Sequence, residues 1–141
     1  MKPRSFIIDT NIVVAALITR NPDATVCRLL DTMLDGRLPF LLSPALLAEY
    51  RHVLLRDKLV RLHGLSQTEI DDLLTELTAN AIWRDPPSFE TAPEPGDQHL
   101  WDLLHCHPHT LLVTGDQLLL AQPPDPGWVI TPRDCVEKYI T

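Results

Sequence analysis

Four acidic residues set the chemical question. Asp9 follows directly on the apolar run Phe6-Ile7-Ile8, and Asp116 follows Leu111-Leu112-Val113-Thr114-Gly115. A short apolar run that breaks abruptly into polar groups is the pattern of a buried parallel strand reaching its carboxyl end. In open α/β sheets ligands bind at that end. Glu49 lies in a helical pattern opened by Ser43-Pro44, and Asp97 opens another after Pro95-Gly96. Strand ends and the starts of the helices that follow them share one edge of a parallel sheet, so all four acids can converge. Carboxylates held together raise each other's pKa unless a counter-charge stands between them. Hard divalent cations, Mg²⁺ or Mn²⁺ above all, supply that charge. Such ions activate water and stabilise the charge that grows on a phosphodiester during in-line displacement. Each acid also has a plain structural use: Asp9 and Asp97 as helix N-caps, Glu49 as a solvated helix position, Asp116 as a turn residue.

The elements that would position these acids can be followed along the chain. Phe6 to Ile8 is a strand, and Ile12 to Ile18 a first helix. Asn21-Pro22-Asp23 makes a turn, with Asp23 or Asn21 available as a cap, before a helix over Thr25 to Leu34, which Gly36 closes. Leu38 to Leu42 reads as a second strand. Ser43 as N-cap and Pro44 at the first helical position open the helix that carries Leu46, Leu47, Tyr50, Val53 and Leu54 to the core. Ser66-Gln67-Thr68-Glu69 matches a capping box and opens a helix through Leu77. Ala81 to Trp83 is a third short strand. Asp85 to Gly96, with Pro86, Pro87, Pro93 and Pro95, is a long connection of the kind found beside active sites. Asp97 caps a helix to about His107, Leu111 to Thr114 is the next strand, and Leu118 to Ala121 a short helix. Trp128 to Ile130 is a last strand, and Thr131-Pro132 opens a C-terminal helix through Tyr139. Strands alternating with helices imply a mainly parallel central sheet covered on both faces.

With 141 residues, 45% of them hydrophobic, the chain is expected to form one domain over residues 1–141. Its apolar runs fall short of the ~20 residues of a membrane span, and Asp9 and Asn11 interrupt the stretch a signal peptide would need. A cytoplasmic location is expected. Twelve basic against 19 acidic residues leave a net charge of −7, which lacks the basic footprint usual for nucleic-acid partners. Bound divalent ions would reverse that charge locally. Arg51, Arg56, Lys58 and Arg61 offer a basic stripe near Glu49, a path for RNA phosphates or a solvated helix face. Cys27, Cys106 and Cys135 have no C-x-x-C spacing and read as reduced thiols rather than zinc ligands. His105, His107 and His109 suit the carbonyl end of a helix better than a metal site. Trp83, Trp101 and Trp128 are expected in the core or at an interface rather than stacked on bases.

Taken in order, Ile8-Asp9-Thr10-Asn11, Ser43-Pro44-Ala45-Leu46-Leu47-Ala48-Glu49, Gly96-Asp97-Gln98-His99-Leu100 and Leu112-Val113-Thr114-Gly115-Asp116 resemble the motifs of the PIN-domain family, specifically its toxin components of bacterial toxin–antitoxin systems. Ile130-Thr131-Pro132-Arg133 resembles the usual ending. The resemblance implies a three-layer α/β/α PIN-like fold and a metal-dependent endoribonuclease. Asp9, Glu49, Asp97 and Asp116 would bind Mg²⁺ or Mn²⁺, while Asn11 and Thr114 would orient those carboxylates. Hydrolysis would leave a 5′-phosphate and a 3′-hydroxyl. A cognate antitoxin and a homodimer are further implications. The chain departs from the family pattern at Pro93-Glu94-Pro95-Gly96-Asp97, where relatives often carry several acids, and at Leu118, where they often carry another. Asp102 or Glu94 would then assist Asp97. Two other readings stand beside this one. A non-catalytic PIN-like module would bind RNA or protein without cutting. A phosphatase-like enzyme with Asp9 as nucleophile would want an acid where Asn11 stands.

Overall fold

The computed structural model describes residues 4–86, 98–106, 109–121 and 129–140. Strand β1 (Ser5–Ile8) runs parallel to β4 (Thr110–Val113), and β4 runs parallel to β5 (Val129–Ile130). Strands β2 (Leu41–Leu42) and β3 (Ile82–Trp83) form a second parallel pair. A parallel bridge between Phe6 and Phe40 ties that pair to β1, so the strand order is in effect β3-β2-β1-β4-β5.

Successive side chains of a strand point to opposite faces, yet Phe6, Ile7 and Ile8 are all buried. Both faces of β1 are therefore covered, as the unbroken apolar run implies. Ser5 is buried too, and its hydroxyl meets that of Thr110, its register partner, at 2.8 Å. Each hydroxyl thus finds a partner away from water.

The helices are α1 (Thr10–Ile18), α2 (Thr25–Leu34), α3 (Pro44–Leu54), α4 (Asp57–His63), α5 (Gln67–Asn80), α6 (Gln98–Cys106), α7 (Gln117–Ala121) and α8 (Pro132–Cys135), the last running into a π-helical turn over Val136–Ile140. The cap signals at Ser43, Thr131 and Ser66 hold: the Ser43 side chain accepts from the Leu46 amide, Thr131 accepts from Asp134, and Ser66 and Glu69 close a reciprocal capping box, whereas Ala24 precedes α2 and neither Asn21 nor Asp23 caps it. No helix among the described residues is long and apolar enough to cross a membrane.

Most element ends differ from expectation by one to three residues, and four differences have a clear physical cause or consequence. Helix α1 starts at Thr10 rather than Ile12, because Asp9 caps it at the very end of β1. Strand β2 begins at Leu41 rather than Leu38. Pro39 accepts from the Phe6 amide through its carbonyl but has no N–H to continue a ladder. The basic stripe after α3 contains a separate helix, α4, which Gly64 ends in the left-handed conformation with φ 71°. The C-terminal helix widens to π geometry from Val136, where Tyr139 packs its ring 5.4 Å from that of Phe6.

Candidate active site

Parallel register brings Asp9 to Thr114. Ile8 lies opposite Val113, and the Asp9 amide donates to the Val113 carbonyl at 3.0 Å. The next residues on the two strands therefore meet at the sheet edge. The Thr114 hydroxyl, fully buried, donates to Asp9 Oδ2 at 2.7 Å. Asp9 Oδ1 accepts from the Thr10 amide at 2.8 Å, and Asn11 Nδ2 lies 3.3 Å from Oδ2. A carboxylate offers about four lone-pair sites. These three donors hold Asp9, which is 8% exposed, in one orientation. Asp9 is thus both a helix cap and the centre of the site.

The same network reaches Asp116. Its amide donates to Thr114 Oγ1 at 3.0 Å, and the Gly115 amide donates to Asn11 Oδ1 at 3.3 Å. Asn11 therefore spans the two strand ends, bonding Asp9 on one and Gly115 on the other. Asp9, Asn11 and Asp116 line one depression of about 400 Å³, with Val14 and Ile18 on its apolar side.

Glu49 is brought in from α3. Its neighbour Tyr50 is fully buried and donates its hydroxyl to the Ile8 carbonyl, which pins α3 to the end of β1. Thr10 Oγ1 then donates to Glu49 Oε2 at 2.5 Å. Glu49 also has His99 of α6, whose Nε2 stands 3.3 Å from Oε2. That contact has ion-pair distance but not the alignment of a hydrogen bond, and neither ring nitrogen of His99 has a hydrogen-bond partner among the described residues. His99 holds the Glu49 carboxyl below its ordinary value; burial opposes this, and the Thr10 hydroxyl and the field of Arg56 add to it. Burial, with Asp9 and Glu49 nearby, pushes the Tyr50 phenol well above its ordinary value.

The structure thus gathers Asp9, Asn11, Thr114 and Asp116 directly and joins Glu49 to them through Thr10. Asp97 lies outside the described residues, as do Glu94, His107 and Trp128. Asp102 is 8% exposed, accepts from Gln98 Nε2 at 2.9 Å, and borders a separate small cavity with His99 and Asp85 rather than the Asp9 depression. Of the basic residues, Arg51 is paired with Asp71 at 2.8 Å. His52 of α3 and Arg56, which precedes α4, border a hollow of about 380 Å³, and Lys58 is exposed on α4. A larger groove of about 520 Å³, lined by Leu47, Asp71 and Leu74, offers no acid apart from the one bound to Arg51.

The donor set is all oxygen, which suits Mg²⁺ or Mn²⁺ in type. Oε1 of Glu49 has no hydrogen-bond partner among the described residues. Those residues contain no group of three His, Cys, Asp or Glu side chains gathered closely enough to hold an ion. A family model described as PIN domain matches residues 5–118, from β1 into α7. The chain belongs to the PIN-domain family. The match runs through the segments that carry Asp9, Glu49 and Asp116, so the edge built around Asp9 lies within the shared domain. Comparison with curated proteins found no match. Membership gives the chain a nuclease-type, nucleic-acid-binding module of a family that typically uses divalent metal ions.

Thr10, Tyr50 and His99 were not legible as site residues. Thr10 stands between Asp9 and Asn11, and its position beside two candidates was the available signal. Tyr50 looked like ordinary core, and nothing in the sequence pairs His99 with Glu49.

Proposed function

We propose that this PIN domain is a Mg²⁺- or Mn²⁺-dependent endoribonuclease and acts as the toxin of a toxin–antitoxin pair. The observation that carries the reading is the buried Thr114–Asp9 bond at 2.7 Å, which sets two strand-end acids, Asp9 and Asp116, on one rim. Asp9, Glu49 and Asp116, with Asp97 as the fourth acid, would hold the ion. When bound, Mg²⁺ or Mn²⁺ lowers the pKa of water and draws charge from the phosphate under attack. Thr114 and Asn11 keep Asp9 aimed, and Thr10 keeps Glu49 on the same edge. Arg56 and Lys58, with Arg51 where Asp71 releases it, offer cations to the RNA backbone. The cleaved strand keeps a 5′-phosphate, its partner a 3′-hydroxyl. A cytoplasmic location, a homodimer and inhibition by a cognate antitoxin belong to the same reading.

The test is cleavage of a mixed labelled RNA pool by purified protein with Mg²⁺, Mn²⁺ or EDTA, beside an Asp9→Ala/Asp116→Ala double variant. Metal-dependent cutting with 5′-phosphate ends, lost in the double variant, is the expected result. Folded wild type that cuts with neither metal sinks the catalytic reading. The second reading is a non-catalytic module that binds RNA or protein. It is favoured by the lack, among the described residues, of three acids gathered at ligand distance. It expects RNA retention that persists in EDTA.

A further inference from the structure

Glu49 carries the longest acidic side chain at the site, and that side chain is about one-third exposed. Two groups grip the same oxygen of that carboxyl. Thr10 Oγ1 lies 2.5 Å from Oε2 and His99 Nε2 lies 3.3 Å from it, while Oε1 has no hydrogen-bond partner among the described residues. The two come from opposite ends of the domain's sequence, Thr10 from the first turn of α1 and His99 from the first turn of α6. Both His99 nitrogens are buried, and no hydrogen-bond acceptor among the described residues competes for them. Among the described residues, Glu49 is the acid within ion-pair distance of the ring.

We propose that His99 is a positioning residue for Glu49: by holding Oε2 against Thr10, it fixes the orientation of the carboxyl and leaves Oε1 open to an ion. The inference rests on the metal reading above and extends it to a residue outside the acid set. A ligand whose rotamer is locked before the ion arrives has less freedom to lose on binding. Groups that orient a ligand in this way typically carry a 10–100-fold share of metal affinity. Thr10 alone leaves the carboxyl free to swing about the Oε2 contact. His99, arriving from a different helix, removes that motion. The lowered pKa of Glu49, with His99 as its largest cause, agrees with a contact made to the ionised form.

The experiment is calorimetric titration of Mn²⁺ into EDTA-dialysed full chain. It compares wild type, His99→Ala, His99→Phe, His99→Gln, Glu49→Gln and the His99→Ala/Glu49→Gln pair, each checked by thermal melting. Wild type should bind. His99→Ala and His99→Phe should bind about ten-fold or more weakly, and His99→Gln, which keeps a donor, should recover most of the loss. The pair should bind no worse than Glu49→Gln alone, because the histidine acts through that carboxylate. His99→Phe preserves a buried ring, so it carries the test where His99→Ala does not fold. His99→Phe binding Mn²⁺ as tightly as wild type while Glu49→Gln binds weakly overturns the inference and leaves the metal site standing. Losses that add in the pair also overturn it, since they place His99 outside the Glu49 pathway. Wild type that takes up no Mn²⁺ removes the metal reading and this inference together.

Discussion

Thr114 holds three connections at once: it donates to Asp9, accepts from the Asp116 amide, and stands 3.4 Å from the Asn11 amide. Its side chain is fully buried, so water cannot replace what it supplies. Thr114→Val keeps the shape and removes the hydroxyl, leaving the Asp9 carboxylate short of a donor. We expect a loss of roughly 1–3 kcal/mol in urea unfolding, with weaker Mn²⁺ binding in the same variant. A loss below the error of the unfolding curves would mean that Asp9 is held well enough by Thr10 and Asn11. Glu49 gives a pH prediction. Its folded pKa lies below the ordinary 4.5, so the ionised form is favoured by folding. The stability it contributes is fully present above that ordinary value and is lost as pH falls through the lower folded one. In metal-free buffer Glu49→Gln should be less stable than wild type at neutral pH, with the gap closing in that acid window. A gap independent of pH would assign the effect to packing. Cys135 supplies a third test. Burial pushes its thiol up to about 12, so little thiolate exists at pH 8 and iodoacetamide should label it only after denaturation.

At the scale of elements, caps and turns decide where each acid is delivered. Ser43 ends β2's approach and starts α3, and its Oγ accepts from Leu46 at 3.1 Å. Ser43→Ala should cost about 1 kcal/mol by chemical denaturation. It should also loosen the helix start that carries Glu49. Two glycines at positive φ separate backbone strain from crowding. At Gly64 (φ +71) nothing would meet an added Cβ within 4 Å, whereas at Gly36 (φ +72) that Cβ would lie 3.0 Å from Asn80 Oδ1. Both alanine variants should be destabilised by roughly 1 kcal/mol for the left-handed backbone. Gly36→Ala should lose more, because Asn80 also donates to the Leu34 carbonyl and would have to give up that contact. Equal midpoints for the two variants would show that Asn80 moves freely.

For the whole molecule, the excess of 19 acidic over 12 basic residues makes the ion central to any RNA encounter. The acids of the site repel phosphate until a cation neutralises them. An ion that binds only the folded chain raises its stability by mass action, about 2.7 kcal/mol at a hundred-fold excess over Kd. Saturating Mn²⁺ should therefore raise the melting temperature of wild type and leave Asp9→Ala/Asp116→Ala unmoved. An equal rise in both would locate the ion elsewhere on the acidic surface.

The parallel α/β architecture, the caps at Ser43, Ser66 and Thr131, and the two acids at strand ends are all written in the order of the residues. These follow from local signals: an unbroken apolar run is buried on both faces, and a serine or threonine before a helix satisfies its first amides whatever lies around it. Asp9 and Asp116 stand out for the same reason, since each follows the end of a strand, whereas Asn11 and Thr114 enter through the resemblance to PIN motifs. Other features required the folded chain. Pro39 shortened β2 because its carbonyl, but not its nitrogen, could join Phe6. The helix α4 emerged from a segment whose pattern had read only as a basic stripe. Periodicity does not mark Glu49 as a site residue; only the resemblance of the stretch from Ser43 to Glu49 to a PIN motif does. Glu49 reaches the edge because Tyr50 anchors α3 to the Ile8 carbonyl and Thr10 and His99 close on its carboxyl. Those contacts join residues dozens of positions apart. The geometry of packed helices, not spacing along the chain, brings them together.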